Sequence, residues 1–267
     1  MELLGYIAAI LIGLSLGLIG GGGSILTVPA LVYLLGTQPL TATSYSLFIV
    51  GATSLVGGLQ KYRQGLVNVK AALIFGVPSI AAVFLTRMYL VPGLPANMFS
   101  LGNFVVTRDI FIMLVFAILM VAASFSMIYQ SRASSQKPEI AEPRFNIPLI
   151  FLEGSVVGVL TGLVGAGGGF LIIPALVLLT KLPMKIAVGT SLIIIALKSL
   201  IGFLGDIKHI PMDWMLILSF TALAVAGIFV GNNLSHGIDN IKLKKAFGWF
   251  VLVMGIYIIL KETVLKH

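Results

Sequence analysis

The chain has 267 residues, of which 58% are hydrophobic and 10% charged, where a soluble globular domain carries roughly 25% charged residues. With a mean hydropathy of +1.10, this composition excludes a water-soluble enzyme, a nucleic-acid binder and a disordered chain. The net charge of +8 lies as Lys and Arg in the gaps between apolar runs, as in the loops of a polytopic membrane protein, and there is no cysteine for a disulfide or thiolate site.

The chain opens Met1-Glu2-Leu3-Leu4, with an acid where a secretory signal carries positive charge, so no signal peptide is expected. Residues 3–36 then form an apolar region of about 33 residues, too long for one span of about 20 and too short for two spans with a loop. Gly20-Gly21-Gly22-Gly23 interrupts it, so it reads as a broken pair of helical arms. Spanning helices are predicted next at about 42–60, 70–91 and 109–129. A polar linker, 131–146, separates them from a second interrupted region at 148–180, broken by Gly165-Ala166-Gly167-Gly168-Gly169. Three more spans follow at about 186–204, 211–231 and 243–261. All six spans are too continuously apolar for barrel strands, which alternate with period two.

The two broken regions are copies. Gly17-Leu18-Ile19-Gly20 through Pro29-Ala30-Leu31-Val32 matches Gly162-Leu163-Val164-Gly165 through Pro174-Ala175-Leu176-Val177 at an offset of 145. The offset continues at Ala42/Ala187, Ser46/Ser191 and Gly57/Gly202. Two repeats are therefore expected, 1–130 and 147–267. If each broken pair returns to its own side, three spans per repeat invert the second repeat relative to the first. Lys61, Arg63, Lys70, Arg132, Lys137, Arg144, Lys181, Lys185, Lys242, Lys244 and Lys245 then share one face. Arg87, Arg108, Lys208, Lys261 and Lys266 take the other. The positive-inside rule favours this arrangement over single crossings, with both termini outside. Inverted repeats with matching glycine interruptions point to a secondary transporter whose site lies where the breaks meet, near the midplane.

Backbone that leaves helix geometry inside a membrane must be buried in protein or line a cavity. The second arms are expected to begin at Ser24 and Gly169, presenting unpaired N–H groups and the positive end of a helix dipole. Two such ends facing one another form an anion cradle of Gly20, Gly21, Gly22, Gly23 and Ser24 with Gly165, Gly167, Gly168 and Gly169. Tight helix packing is the competing use of such small residues. Lys198 lies on the order of 18 Å along its helix, where an isolated cation costs about 3 kcal/mol or more. Its side chain leans toward the midplane, so it is expected at the site. Its repeat mate is Thr53. Glu153 is shallower and reads as a coupling carboxylate, a partner of Lys198 or an interfacial acid. Ser46, Thr190 and Ser191 are candidate hydroxyl donors, each equally able to bond its own helix. His209 and His236 fall in predicted loops, and no metal site or cofactor is expected.

The doubled glycine motif, each copy followed by Pro-Ala-Leu, with Ala187-Val188-Gly189-Thr190-Ser191-Leu192 after the second, resembles the TauE/SafE sulfite exporter family. This is the 4-toluene sulfonate uptake permease group of prokaryotic and plant membrane proteins. The resemblance covers essentially the whole chain and implies transport of small sulfur-containing anions, such as sulfite or an organosulfonate like sulfoacetate. The repeats differ at Ser24/Gly169 and Gly21/Ala166, so unequal cradle halves are expected. The resulting expectation is an all-α carrier in the cytoplasmic membrane that works by alternating access. Its partners are a small anion and the lipid bilayer, with no nucleic acid; a homodimer stays open. An anion channel, or a carrier for another small oxyanion or carboxylate, is the alternative reading.

Overall fold

Each predicted apolar run forms a helix in the computed structural model, which describes residues 2–101, 104–133, 147–234 and 240–264. Helix α1 (Glu2–Ile19) runs into the first glycine break, which winds as a 3-10 turn (Gly21–Leu26) before α2 (Thr27–Tyr33). Gly36, in left-handed geometry at φ 69°, turns the chain into α3 (Pro39–Arg63), where Pro39 occupies the first turn and needs no N–H partner. Asn68 caps α4 (Val69–Leu85), its side-chain oxygen accepting from the Ala71 N–H at 2.9 Å. Helix α4 then widens into a π turn (Thr86–Leu90) and closes with a last turn, α5 (Val91–Gly93).

Strands β1 (Asn97–Leu101) and β2 (Phe104–Thr107) form an antiparallel hairpin outside the predicted elements. Helix α6 (Arg108–Ala133) takes in the first three residues of the predicted linker; the rest of 131–146 lies outside the described residues. The second half repeats the order with α7 (Ile147–Val164), α8 (Gly169–Thr180), α9 (Met184–Asp206), α10 (Trp214–Leu234) and α11 (Asn240–Thr263). Helix α10 starts three residues later than expected, because the Asp213 carboxylate accepts from the Leu216 N–H and caps it.

Seven helices among the described residues are long and apolar enough to cross a membrane. Six are the predicted spans. The seventh is α7, the first arm of the second break, so each break lies past the middle of its pair. Many large apolar side chains point outward, among them Leu73, Phe151, Leu152, Trp249 and Val253. A soluble monomer rarely exposes such a belt; here lipid is its solvent.

Helix pairing crosses between the halves. Helix α1 packs on α10 and α7 on α4, while α3 crosses α9 and α6 lies along α11. Exchanging the two halves maps every one of these pairs onto itself or onto another. The apolar core divides accordingly. One part joins Leu16, Ile25, Leu31, Met120, Phe220 and Ile228; the other joins Phe75, Ile150, Val157, Leu176 and Ile194.

Glycine makes the α1–α10 crossing possible. A Cβ at Gly17 would lie 2.7 Å from the Ile228 carbonyl oxygen, and one at Gly231 3.1 Å from Gly17 Cα. Much of the glycine excess therefore serves close packing. Gly231→Leu is expected to lower the melting temperature by about 5 °C or more, since overpacking costs about 1–3 kcal/mol. Val253→Ala, on the lipid face, is expected to leave it unchanged; melting in detergent checks both.

Candidate functional site

The two glycine breaks touch. Gly20 to Ser24 and Gly165 to Gly169 are all buried, and a Cβ at Gly21 would fall 2.5 Å from Gly169 Cα. Such an approach is open only to two residues without side chains. Ile195 contacts both breaks, through the Cβ positions of Gly21 and Gly167, and it is the middle residue of α9. The meeting point therefore lies at mid-length of a spanning helix.

The second arms begin differently. Helix α8 starts at Gly169 as expected, after Gly165, Gly167 and Gly168 in left-handed geometry. The other second arm starts earlier, at Gly21, as a 3-10 turn. The Ser24 hydroxyl lies within that turn and donates to the Gly21 carbonyl at 2.7 Å, so it does not head the arm. A tight 3-10 turn suits a run of glycines, whose backbones have no side chains to eclipse.

Helices α3 and α9 line the breaks in matching fashion. Thr43 of α3 packs against Gly165 and Val50 against Gly167, while Val188 of α9 packs against Gly20 and Ile195 against Gly21. The spacing i, i+3, i+7 puts Ser46 on the first face and Ser191 on the second. Each member of the duplicated serine pair thus sits on the helix face that meets the other half's break. Their hydroxyls differ. Ser46 Oγ is buried with no hydrogen-bond partner, whereas Ser191 Oγ donates back to the Val188 carbonyl at 2.8 Å. Thr190 Oγ1 is occupied elsewhere, accepting from the Asn68 N–H at 2.9 Å.

Lys198 lies at the second break. It is 1% exposed, and a Cβ at Gly168 would stand 2.7 Å from its Nζ. The ammonium donates to Thr161 Oγ1 at 2.8 Å, and that hydroxyl donates on to the Val157 carbonyl at 2.7 Å. An ammonium has three N–H groups; Thr161 takes one. Among the described residues no ion pair joins Lys198 to Glu153, which is half-buried on α7, more than two helical turns before Thr161. Nor does any cluster of His, Cys, Asp or Glu among the described residues suit a metal.

A second polar centre was invisible in the sequence. Arg87, counted there only among the cations of the outer face, is 0% exposed and pairs with Asp206 at 3.0 Å. Its Nη1 also donates to Thr43 Oγ1 at 3.0 Å, and Ser44 Oγ donates to the same Asp206 carboxylate. Both charges sit at the ends of apolar runs, where either alone reads as an interfacial charge. They meet where the π turn Thr86–Leu90 packs on α9.

The profile described as "Sulfite exporter TauE/SafE" matches residues 5–258. The chain belongs to the TauE/SafE sulfite exporter family. This TauE/SafE protein is similar to a "Probable membrane transporter protein" of Xylella fastidiosa, 31% identical over 93% of this chain and 91% of that one. It is similar as well to the "Probable membrane transporter protein YunE" of Bacillus subtilis, 28% identical over 96% of this chain and 95% of the relative. No solved structure matches it. The TauE/SafE chain is thus a multi-pass membrane transporter, not an enzyme.

Proposed function

We propose that the protein carries small sulfur-containing anions, sulfite or an organosulfonate such as sulfoacetate, across the cytoplasmic membrane by alternating access. The observation that carries this reading is Lys198: a buried ammonium with one hydroxyl partner, beside the turn where two helix breaks meet. Backbone N–H groups of both breaks, with Ser46 and the Lys198 ammonium, are the donors; Ser191 joins them when it lets go of its own helix. Such a site attracts anions and repels cations. The family name points to sulfur oxyanions within that class.

The repeats are read as inverted, with both termini outside. Because α1 packs on α10 and α7 on α4, each mobile unit is read as drawn from both repeats, not as one whole repeat. The moving bodies are instead α1, α3 and α10 against α4, α7 and α9, sliding at the α3–α9 crossing beside the glycine contact. Purified protein in proteoliposomes is expected to take up labelled sulfite or sulfoacetate saturably. Sulfate, thiosulfate and small carboxylates in excess rank the substrate class by competition. Uptake that never saturates, or single-channel currents, would make the protein a channel, and no anion uptake at all would sink the reading.

A further inference from the structure

Arg87 is the largest fully buried side chain of the described residues, and half of its guanidinium is unused. Its Nη1 serves Asp206 and Thr43, while Nε and Nη2 have no hydrogen-bond partner at all. Those two nitrogens are not a random pair. With Nη1 on the Cδ side of the planar group, the Nε–H and one Nη2–H point the same way, as a parallel fork that matches two oxygens of a carboxylate, sulfonate or sulfite. A buried guanidinium normally fills such a fork with protein acceptors, since an orphaned charged donor is costly.

Two further observations bring Arg87 close to the glycine turn. Thr43, which accepts from Arg87, packs on Gly165, where a Cβ would stand 2.6 Å from its own Cβ. Lys198 stands at Gly168, so the two cations flank one turn that spans at most about 10 Å. Arg87 also rides on the π turn Thr86–Leu90, and such widened turns occur frequently at functional sites.

We infer that the Nε/Nη2 fork of Arg87 is a bidentate contact for the transported oxyanion, with Asp206 as the counter-ion that holds the guanidinium in place. Lys198 supplies the uncompensated charge; Arg87, neutralised by Asp206, supplies shape. The fork selects anions that present two oxygens side by side over spherical ones such as chloride. This rests on the anion-carrier reading.

The test measures apparent Kd for sulfite, sulfoacetate and chloride from anion-dependent melting of the full-length protein in detergent. Arg87→Lys keeps the charge and loses the fork; it is expected to weaken sulfite and sulfoacetate about tenfold or more with little change for chloride. Asp206→Asn keeps the fork and an oxygen that can still accept from Nη1 while removing the competing negative charge, so oxyanion affinity is expected to hold or rise. A purely structural ion pair predicts parallel losses in both variants, and that result would overturn the inference, as would wild-type oxyanion affinity in Arg87→Lys. If either single variant fails to fold, the neutral pair Arg87→Gln/Asp206→Asn decides: folded with weakened oxyanion binding supports the fork, folded with wild-type affinity removes it. Loss of oxyanion binding in Lys198→Ala with none in Arg87→Lys leaves the carrier reading standing and ends this one.

Discussion

Lys198→Ala is expected to lower sulfite or sulfoacetate uptake by about 10- to 100-fold, because a hydrogen bond to a charged group contributes about 1.5–3 kcal/mol and each 1.4 kcal/mol is tenfold. A second variant separates this role from folding. Lys198→Met keeps the length of the stem and deletes a charge that costs about 3 kcal/mol at mid-membrane. It is therefore expected to melt above the wild type while transporting no better than the alanine variant. Function lost and stability gained would mark Lys198 as a group held in an unfavourable place for its charge. Wild-type uptake in either variant would remove Lys198 from the mechanism, and a lower melting temperature in Lys198→Met would make its role structural.

Gly169→Ala is the second large effect. The new Cβ would press on Gly21 Cα, and its carbonyl carbon and oxygen lie as close. All three are backbone atoms, with no flexible side chain to swing aside. Overpacking of about 1–3 kcal/mol is expected, relieved only by parting the two breaks. Uptake should fall with stability. Gly76→Ala is the control: the nearest atom to its Cβ is Ile194 Cγ1 at 3.8 Å, an ordinary contact. Melting and proteoliposome uptake of both variants check this, and a wild-type Gly169→Ala would mean that the breaks need not touch.

Much of this was legible in residue order. The glycine runs at 20–23 and 165–169 announced two helix breaks, since nothing else so apolar tolerates so many glycines within one span. Lys198 stood out as a cation deep within an apolar span. The repeat differences also proved connected, because Gly21 and Gly169 touch each other while their counterparts Ala166 and Ser24 both carry a Cβ. What stayed hidden was relational. Arg87 and Asp206 are 119 positions apart and meet only through packing. Ser46 and Ser191 are equivalent in sequence, yet one hydroxyl is free and the other turns back on its helix. Rotamers of that kind follow from the local fit of neighbours and leave no periodic trace. The hairpin did have a signal, the Gly102-Asn103 pair followed by the β-branched and aromatic run Phe104-Val105-Val106-Thr107, overshadowed by the surrounding hydropathy.

The exchange of helices between halves bears on how the chain is made. During synthesis α1 and α4 enter the bilayer well before α10 and α7 exist. Their glycine and small-residue faces, with grooves at Gly13 and Gly17, then meet only lipid, which fills them poorly. The first half must wait, inserted but unlatched, until the second half arrives to close both crossings. Assembly of this transporter therefore resembles the joining of two partners more than the completion of one domain followed by another.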